Sequence, residues 1–482
     1  MRSGLLTGVS TVTVSGAAAV AGVLLAHKFG RTEETDGFLA AYTIYLVFVI
    51  GAQAFRFVVV PDLTRAAADA RLGAETGAYS LAFLALALPA SAVVIAFEGP
   101  LGDAITGSLP PEAGSTAGSA LVWLVPGAFA QLLAALYASA LAARDSYAVA
   151  AIGYSVGAVA GLALFAALAD SHGLVSLAWG VALNGGITLA VLLAATALRG
   201  DARGGGSGRD VAKRLLRLAE GAAVPVASQG LYMVALRFAA DIGVGKLTSL
   251  SFAYLLAAVL VAATASSLSL ISAAPLTRRG LDARGAAAHV VHSSWLSLVV
   301  IAGAAGVFTL VGGRLVGAVL GEAYSGGIGD EVGQLVVYLA PWMVVSVAFS
   351  VTFPLLFVME RARALFPLAL GALALHIPLT WGMREAFGLR GIELALAVST
   401  LGVLVVLMML VSPQMLALSV VGVGELALIV AAAAAVSFGA LSFVIDGIPG
   451  ALVGLALYML LLAAARPRGL REAWSYVRAL HH

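Results

Sequence analysis

The sequence predicts an all-α polytopic membrane protein with about 14 transmembrane helices, on three observations. First, apolar stretches of about 18–28 residues follow one another along the chain, each long enough to cross a hydrocarbon core of roughly 30 Å as a helix. Second, 61% of the 482 residues are hydrophobic and 11% are charged, and the mean hydropathy is +1.03. Third, the connections are too short for a soluble domain. A soluble protein could not cover this much apolar surface, so the function lies within or across a membrane.

The spans are predicted from hydropathy and orientated by charge. In chain order they are residues 5–27, 37–60, 78–97, 119–142, 147–168, 173–198, 219–240, 247–274, 290–312, 332–359, 364–385, 389–410, 425–445 and 449–465. Basic residues concentrate in alternate connections, and most densely in residues 199–218. The positive-inside rule therefore places this connection and both termini in the cytoplasm. Its Gly-rich stretch 204–208 predicts a flexible joint, and the amphipathic run 211–218 suits an anionic lipid surface.

The chain repeats itself at an offset of about 215 residues. Pro61 and Pro275 each end a span before a Leu-Thr-Arg sequence, Arg144 matches Arg361, and Gly173 matches Gly388, at offsets of 214, 217 and 215 residues. Six spans per repeat give the halves the same topology, related by an axis along the membrane normal, with a cavity between them. The predicted domains are residues 1–198 (spans 1–6), 199–218 (linker and amphipathic segment), 219–410 (spans 7–12) and 411–482 (spans 13–14 and a basic tail).

Several short motifs resemble one family along most of the chain. They are Phe29-Gly30 with Thr35-Asp36-Gly37-Phe38, Leu141 to Tyr147, His172-Gly173-Leu174 with Ala178-Trp179-Gly180, and Gly245 to Leu256. In this order, on two six-helix lobes and two extra helices, they resemble the MurJ/MviN-type lipid II flippases of the MOP exporter superfamily. The resemblance implies a bacterial cytoplasmic-membrane protein that moves a lipid-linked cell-envelope precursor by alternating access. It further implies that the last two helices form a lipid-facing groove for the substrate tail.

The chain departs from that family in the cavity that binds the substrate. The resemblance implies arginines near Ser15, Ala21 and Val49 and an Asp-Arg pair at Tyr254-Leu255, and none of these charges is present. The fold therefore carries over, whereas the cationic site for a pyrophosphate-bearing head group does not.

Ionisable residues within spans are functional candidates because they are costly in a bilayer. Arg56 lies about one turn from the cytoplasmic end of span two, where snorkelling is the favoured explanation. Arg237 lies near the outer end of span seven with Asp241 four residues later on the same helix face, so structural pairing and contact with an anionic head group both stay open. Asp36 is a candidate through the motif that carries the resemblance.

His376 differs because it lies near the middle of span eleven, two residues before Pro378. It is either a neutral histidine bonded to a neighbouring helix or a proton-sensitive group. No second histidine or carboxylate lies at ligand spacing, and the chain has no cysteine, so no metal site is expected.

Uncharged polar residues at depth complete the candidates: Gln53, Asn184, Gln229 and Ser267, with Gln53 and Ser267 at equivalent positions of the repeat. Most such residues bond across helix interfaces, and a minority line cavities.

These observations leave several functions open. The first is the lipid-linked precursor flippase; the alternatives are an ion-coupled multidrug exporter, and a non-transporting scaffold that has lost the cationic cavity. An enzyme is not expected, because the outward loops are too short to form a catalytic pocket. We expect a monomer with a lipid-linked substrate, anionic lipids at the cytoplasmic face, no nucleic acid and no cofactor, while coupling to Na⁺ or H⁺ stays open.

Overall fold

The structure is a computed structural model that describes residues 2–144, 146–198, 208–261, 283–358, 364–440, 445 and 447–464. Within these ranges it is helical and contains no strand. The helices are α1 (Arg2–Phe29), α2 (Glu33–Ala68), α3 (Leu72–Ala96), α4 (Glu98–Thr106), α5 (Pro111–Ala142), α6 (Tyr147–His172), α7 (Val175–Leu198), α8 (Gly208–Ala240), α9 (Lys246–Val261), α10 (Ala283–Leu320), α11 (Gly327–Tyr338), α12 (Ala340–Val358), α13 (Leu365–Phe387), α14 (Leu389–Val411), α15 (Pro413–Ala434) and α16 (Gly447–Ala464). A 3-10 turn, Glu322–Tyr324, follows α10, and a π-helical turn, Ala435–Gly439, continues α15.

The helices confirm the predicted fold class. Eleven helices in the described ranges are long and apolar enough to cross a membrane, and α11 with α12 makes a twelfth if the bent pair is one span. The chain is therefore an all-α, multi-pass membrane protein.

Two predicted spans are wrong in detail. Residues 332–359 were expected to form one helix, but α11 and α12 meet there at a bend of 43°. The thirteenth span was expected at residues 425–445, but α15 already begins at Pro413, where the Ser412 side chain accepts a hydrogen bond from Gln414 N. The predicted start at Glu425 left out the first twelve residues of this helix, which include the polar Gln414 and Ser419.

Two glycines that mark the sequence repeat also share a local structure. Gly173 ends α6 and Gly388 ends α13, with φ values of 61° and 62°. Each donates its N–H four residues back, Gly173 to Ala169 O at 3.1 Å and Gly388 to Arg384 O at 2.7 Å. Glycine occupies this left-handed position at no steric cost, so both helices end at the same point of the repeat.

The chain divides into two compact units. The first is Met1–Thr248 with Leu365–Ala369, and in it α5 packs against α2, α3, α4 and α7, while α8 packs against α2 and α3. Close approach of α6 and α7 is possible because Gly161 and Gly180 face each other, and a Cβ on Gly161 would lie 2.3 Å from Gly180 O. The second unit is Ser249–Ala364 with Leu370–His482, and in it α10 packs against α11, α12, α15 and α16.

Candidate functional site

Asp36 joins two parts of the first unit that are far apart in sequence. Its fully buried carboxylate accepts hydrogen bonds from Thr248 N at 2.8 Å, from Thr248 Oγ1 at 2.6 Å, and from Gly245 N. The backbone N–H groups at the start of α9 have no partner within their own helix and carry partial positive charge. Asp36 therefore serves as an N-terminal cap for α9 that comes from another helix.

Arg31 reinforces the same connection from the other side. Its Nε donates to Gly245 O at 2.6 Å, so the carbonyl and the N–H of Gly245 are both bound by residues near the start of α2. Gly245 has a φ of +78°, which favours glycine. The motif containing Asp36 thus closes the predicted outer end of this unit.

Arg237 forms the ion pair with Asp241 that the four-residue spacing indicates. Asp241 also accepts from Ser108 Oγ at 3.0 Å, and Gly107, with a φ of +67°, lies against the guanidinium. A Cβ at Gly107 would fall 2.0 Å from Arg237 Cζ. The Arg237 side chain is nevertheless 39% exposed.

The predicted neutral polar residues lie in different surroundings. Asn184 lies between α7 and α6, where its Oδ1 accepts from Thr188 Oγ1 at 3.3 Å and would meet any Cβ on Gly157. Gln229 of α8 is buried, and its Nε2 has no hydrogen-bond partner in the described ranges. The side chains of Gln53 and Arg56, and all of Ser267, fall outside the described residues.

Gln229 lies close to the level of Gln53. The antiparallel helices α2 and α8 are connected near both ends, by Arg217 to Asp62 and by Gly245 to Asp36. With the same rise per residue along both helices, Gln229 is level with roughly residue 51 of α2. An amide donor is therefore available at mid-depth in the first unit.

His376 is buried in the second unit and is hydrogen-bonded across helices. Its Nδ1 lies 2.7 Å from Ser399 Oγ of α14 and 3.3 Å from Thr380 Oγ1 of its own helix. These contacts orient the imidazole between two hydroxyl groups, each of which can donate or accept. Both interpretations made from the sequence are compatible with this geometry.

A charge network at the predicted cytoplasmic end of the first unit was missed by sequence reasoning. Arg214 of α8 binds Glu75 of α3 through two nitrogens, with Nη2 to Oε1 at 2.7 Å and Nε to Oε1 at 3.1 Å. Asp62 accepts from Arg217 and, at 2.8 Å, from the Tyr79 hydroxyl. The hydrogen bond to Asp62 raises the pKa of the Arg217 guanidinium above its usual value. The amphipathic start of α8 is thereby fixed to α2 and α3.

Two glutamates within spans were also missed. Glu393 of α14 is 1% exposed, and Glu425 of α15 is exposed between Val421 and Leu428. The sequence signal was present in both cases, a carboxylate inside an apolar run. Glu393 lies four residues after the start of predicted span twelve, and Glu425 is the first residue of predicted span thirteen, so neither glutamate lies at the predicted mid-depth.

An apolar cavity of about 430 Å³ lies in the second unit between α10, α12, α15 and the π-helical turn. Its lining is almost entirely aliphatic and aromatic, and includes Ile301, Val344, Val430, Ala431 and Phe438. Gly306 allows the Phe438 ring to pack closely against α10, since a Cβ there would lie 2.1 Å from the ring. A cavity of this size and lining suits a hydrocarbon chain rather than a polar ligand.

No protein-family model and no curated protein matches the chain. Solved structures do match. The structure of the lipid II flippase MurJ in an inward closed conformation gives a TM-score of 0.75 at 14% identity over 95% of this chain and 98% of that chain. The chain has the fold of the MOP superfamily.

Other structures with the MOP fold match less completely. An inward-facing multidrug resistance MATE transporter gives a TM-score of 0.67 at 13% identity, over 84% of this chain and 95% of that one. A MOP superfamily transporter from Pyrococcus furiosus, described as having a binding pocket of reverse polarity, gives a TM-score of 0.61 at 12% identity. The match covers 86% of this chain and 96% of that chain. The fold expected from the sequence motifs is thus confirmed, while identities this low leave the substrate open.

Proposed function

We propose that this protein is an alternating-access flippase that moves a lipid-linked cell-envelope precursor across the bacterial cytoplasmic membrane. The observation that carries the proposal is the apolar cavity of about 430 Å³ beside α15, on a MOP fold that the MurJ structure covers almost completely. A substrate with a long hydrocarbon tail needs an apolar site for that tail, and the lining of this cavity is almost entirely apolar.

The extent of the structural match supports the same function. The MurJ structure covers 95% of this chain and the MATE structure 84%. The structure of a lipid flippase therefore matches a larger share of this chain than that of a multidrug transporter does.

The polar residues favour a head group with less negative charge than a lipid pyrophosphate. Arg237 is partly neutralised by Asp241, and Gln229 offers a neutral amide. Moving an anion into the membrane needs compensating charge. We therefore propose that Arg237 contacts the head group at the outer mouth and that neutral donors contact it deeper in the membrane. In the same proposal, both termini and the start of α8 lie at the cytoplasmic face beside anionic lipids.

The experiment is to identify the lipids that co-purify with the protein by native mass spectrometry, followed by a flipping assay in proteoliposomes. A fluorescent polyprenyl-linked glycan should become accessible to a membrane-impermeant quencher only when the protein is present. Export of a cationic dye without glycan flipping would identify a multidrug exporter instead. Activity toward neither probe, with no bound lipid, would favour the non-transporting scaffold.

A further inference from the structure

The Glu393 side chain is buried in the second unit without hydrogen-bond partners. It is the fifth residue of α14 and is 1% exposed. In the described ranges, neither Oε1 nor Oε2 has a hydrogen-bond partner. Asp36, the other buried carboxylate discussed above, accepts three hydrogen bonds. The contrast shows that Glu393 is not a structural cap of that kind.

Arg390 is the charged group that acts electrostatically on Glu393, one helical turn earlier on the same face. However, its guanidinium is directed toward α11. It donates to Gln334 Oε1 at 3.3 Å and lies 4.8 Å from the centre of the Tyr338 ring. Arg390 therefore has an alternative partner and does not form an ion pair with Glu393 in this conformation.

Other titratable groups on the helices packed against α14 can be named. In the described ranges, α11 contributes Asp330, Glu331 and Tyr338, α15 contributes Glu425, α13 contributes His376, Arg384 and Glu385, and the side chains of α12 contribute none. None of these groups forms a hydrogen bond or an ion pair with the Glu393 carboxyl in the described ranges. His376 is already bound to Ser399, six residues further along α14.

An ionised carboxylate without partners in an apolar environment costs several kcal/mol, so Glu393 must bind a cation or a proton. In the described ranges, Glu393 does not belong to a group of three histidine, aspartate or glutamate side chains that could hold a metal ion. A proton needs only the carboxylate itself. We infer that Glu393 is a proton-binding site and that Arg390 replaces the proton as its counter-charge when the carboxylate ionises.

The proton balance is simple. One carboxylate oxygen takes a proton from water and forms an O–H bond, while Arg390 stays on Gln334 and Tyr338. When the proton returns to water, the guanidinium leaves α11 and pairs with the carboxylate, three residues away on the same helix. This exchange would alter the contact between α14 and α11. A link between this exchange and substrate movement rests on the proposed function. The binding of the proton to Glu393 does not depend on that function.

Infrared difference spectroscopy on the full-length protein in lipid bilayers tests the site without any substrate. The wild type should show the C=O absorption of a protonated carboxylic acid near neutral pH. Glu393→Gln should lose that absorption and Glu393→Asp should shift its frequency, whereas Glu385→Gln should change neither, because Glu385 is 57% exposed and paired with Arg384. An unchanged absorption in both Glu393 variants would overturn the proposal.

Arg390 is tested by the pH at which the absorption disappears. Arg390→Gln should raise that pH by about one unit or more, because an opposite charge no longer favours ionisation, and Arg390→Lys should raise it less. No shift would refute the exchange with Arg390. If Na⁺ abolishes the absorption at constant pH, the site binds a metal cation, which would also overturn the proposal. If Glu393→Gln loses the absorption but flips the glycan normally, Glu393 binds a proton that is not needed for transport.

Discussion

The carboxylate of Asp36 binds both the backbone N–H and the hydroxyl of Thr248, which lies 212 residues later in the sequence. These two hydrogen bonds, with a third to Gly245 N, connect the start of α2 to the start of α9. All three donors converge on one buried carboxylate, so the connection depends on a single side chain. This makes Asp36 the first position to test.

Asp36→Asn should lower the free energy of unfolding by about 2–3 kcal/mol, because an amide cannot accept all three hydrogen bonds and leaves a buried N–H without a partner. Thermal unfolding in lipid nanodiscs measures the effect. Asp170→Asn is the matched control, since Asp170 pairs with Lys28 but is 85% exposed. Equal melting temperatures for the two variants would contradict the role assigned to Asp36.

The pair Arg214–Glu75 should show strong coupling in a double-mutant cycle. Both side chains are mostly buried, at 15% and 19% exposed, and the contact is bidentate, so we expect about 1–3 kcal/mol between Arg214→Gln and Glu75→Gln. The exposed pair Arg71–Asp69 should show no measurable coupling in the same assay. Comparable values for the two pairs would show that the start of α8 is not held by this network.

Arg237→Ala should impair glycan flipping while changing stability by less than about 1 kcal/mol, because a half-exposed i,i+4 ion pair stabilises a helix only slightly. Arg237→Lys should restore part of the activity, since an ammonium lacks the bidentate geometry of the guanidinium. Flipping and melting are measured on the same preparations. Normal flipping by the alanine variant would leave Arg237 as a structural partner of Asp241, with a substrate of lower charge.

Filling the apolar cavity should block lipid transport. Ala431→Phe places a ring in the cavity beside α15, whereas Val421→Phe adds the same ring to the same helix at a position that does not line the cavity. We expect at least a tenfold loss of flipping for the first variant and little change for the second, with similar melting temperatures, if the cavity holds the tail. Equal flipping activity of the two variants would show that the cavity does not hold the lipid tail during transport.

Orientation is tested by a single cysteine at Ser207, because the natural chain has none. We expect no labelling of intact cells by an impermeant maleimide and full labelling of inside-out vesicles, since the positive-inside rule predicts that this arginine-rich connection is cytoplasmic. Labelling of intact cells would show that every span has the orientation opposite to the predicted one.

Local patterns in the sequence predicted local structure well. Hydropathy located most of the helices, the Gly173 and Gly388 positions end helices in the same way, and the spacing of Arg237 and Asp241 indicated their ion pair. Each of these depends on residues a few positions apart. The superposition of the two halves stays a prediction.

Contacts between distant residues could not be predicted in the same way. Nothing near Asp36 in the sequence indicates Thr248, and nothing near Glu75 indicates Arg214. The surroundings of Glu393 could not be predicted for a different reason. A side chain four residues after the start of a helix can lie either in water or in the protein interior. Only the packing around α14 shows that the side chain is buried.

Glu425 has a consequence for how the protein is made. A charge at the centre of a helix adds about 3 kcal/mol to the free energy of insertion by the translocon, while each flanking Leu or Val returns only about 0.3–0.6 kcal/mol. The segment that becomes α15 is therefore a poorer insertion substrate than α16, which has no charged residue. Since α15 packs against α10, the earlier helix would already be in the bilayer to receive it during synthesis. Biogenesis of the C-terminal helices would then depend on the order in which the ribosome delivers them.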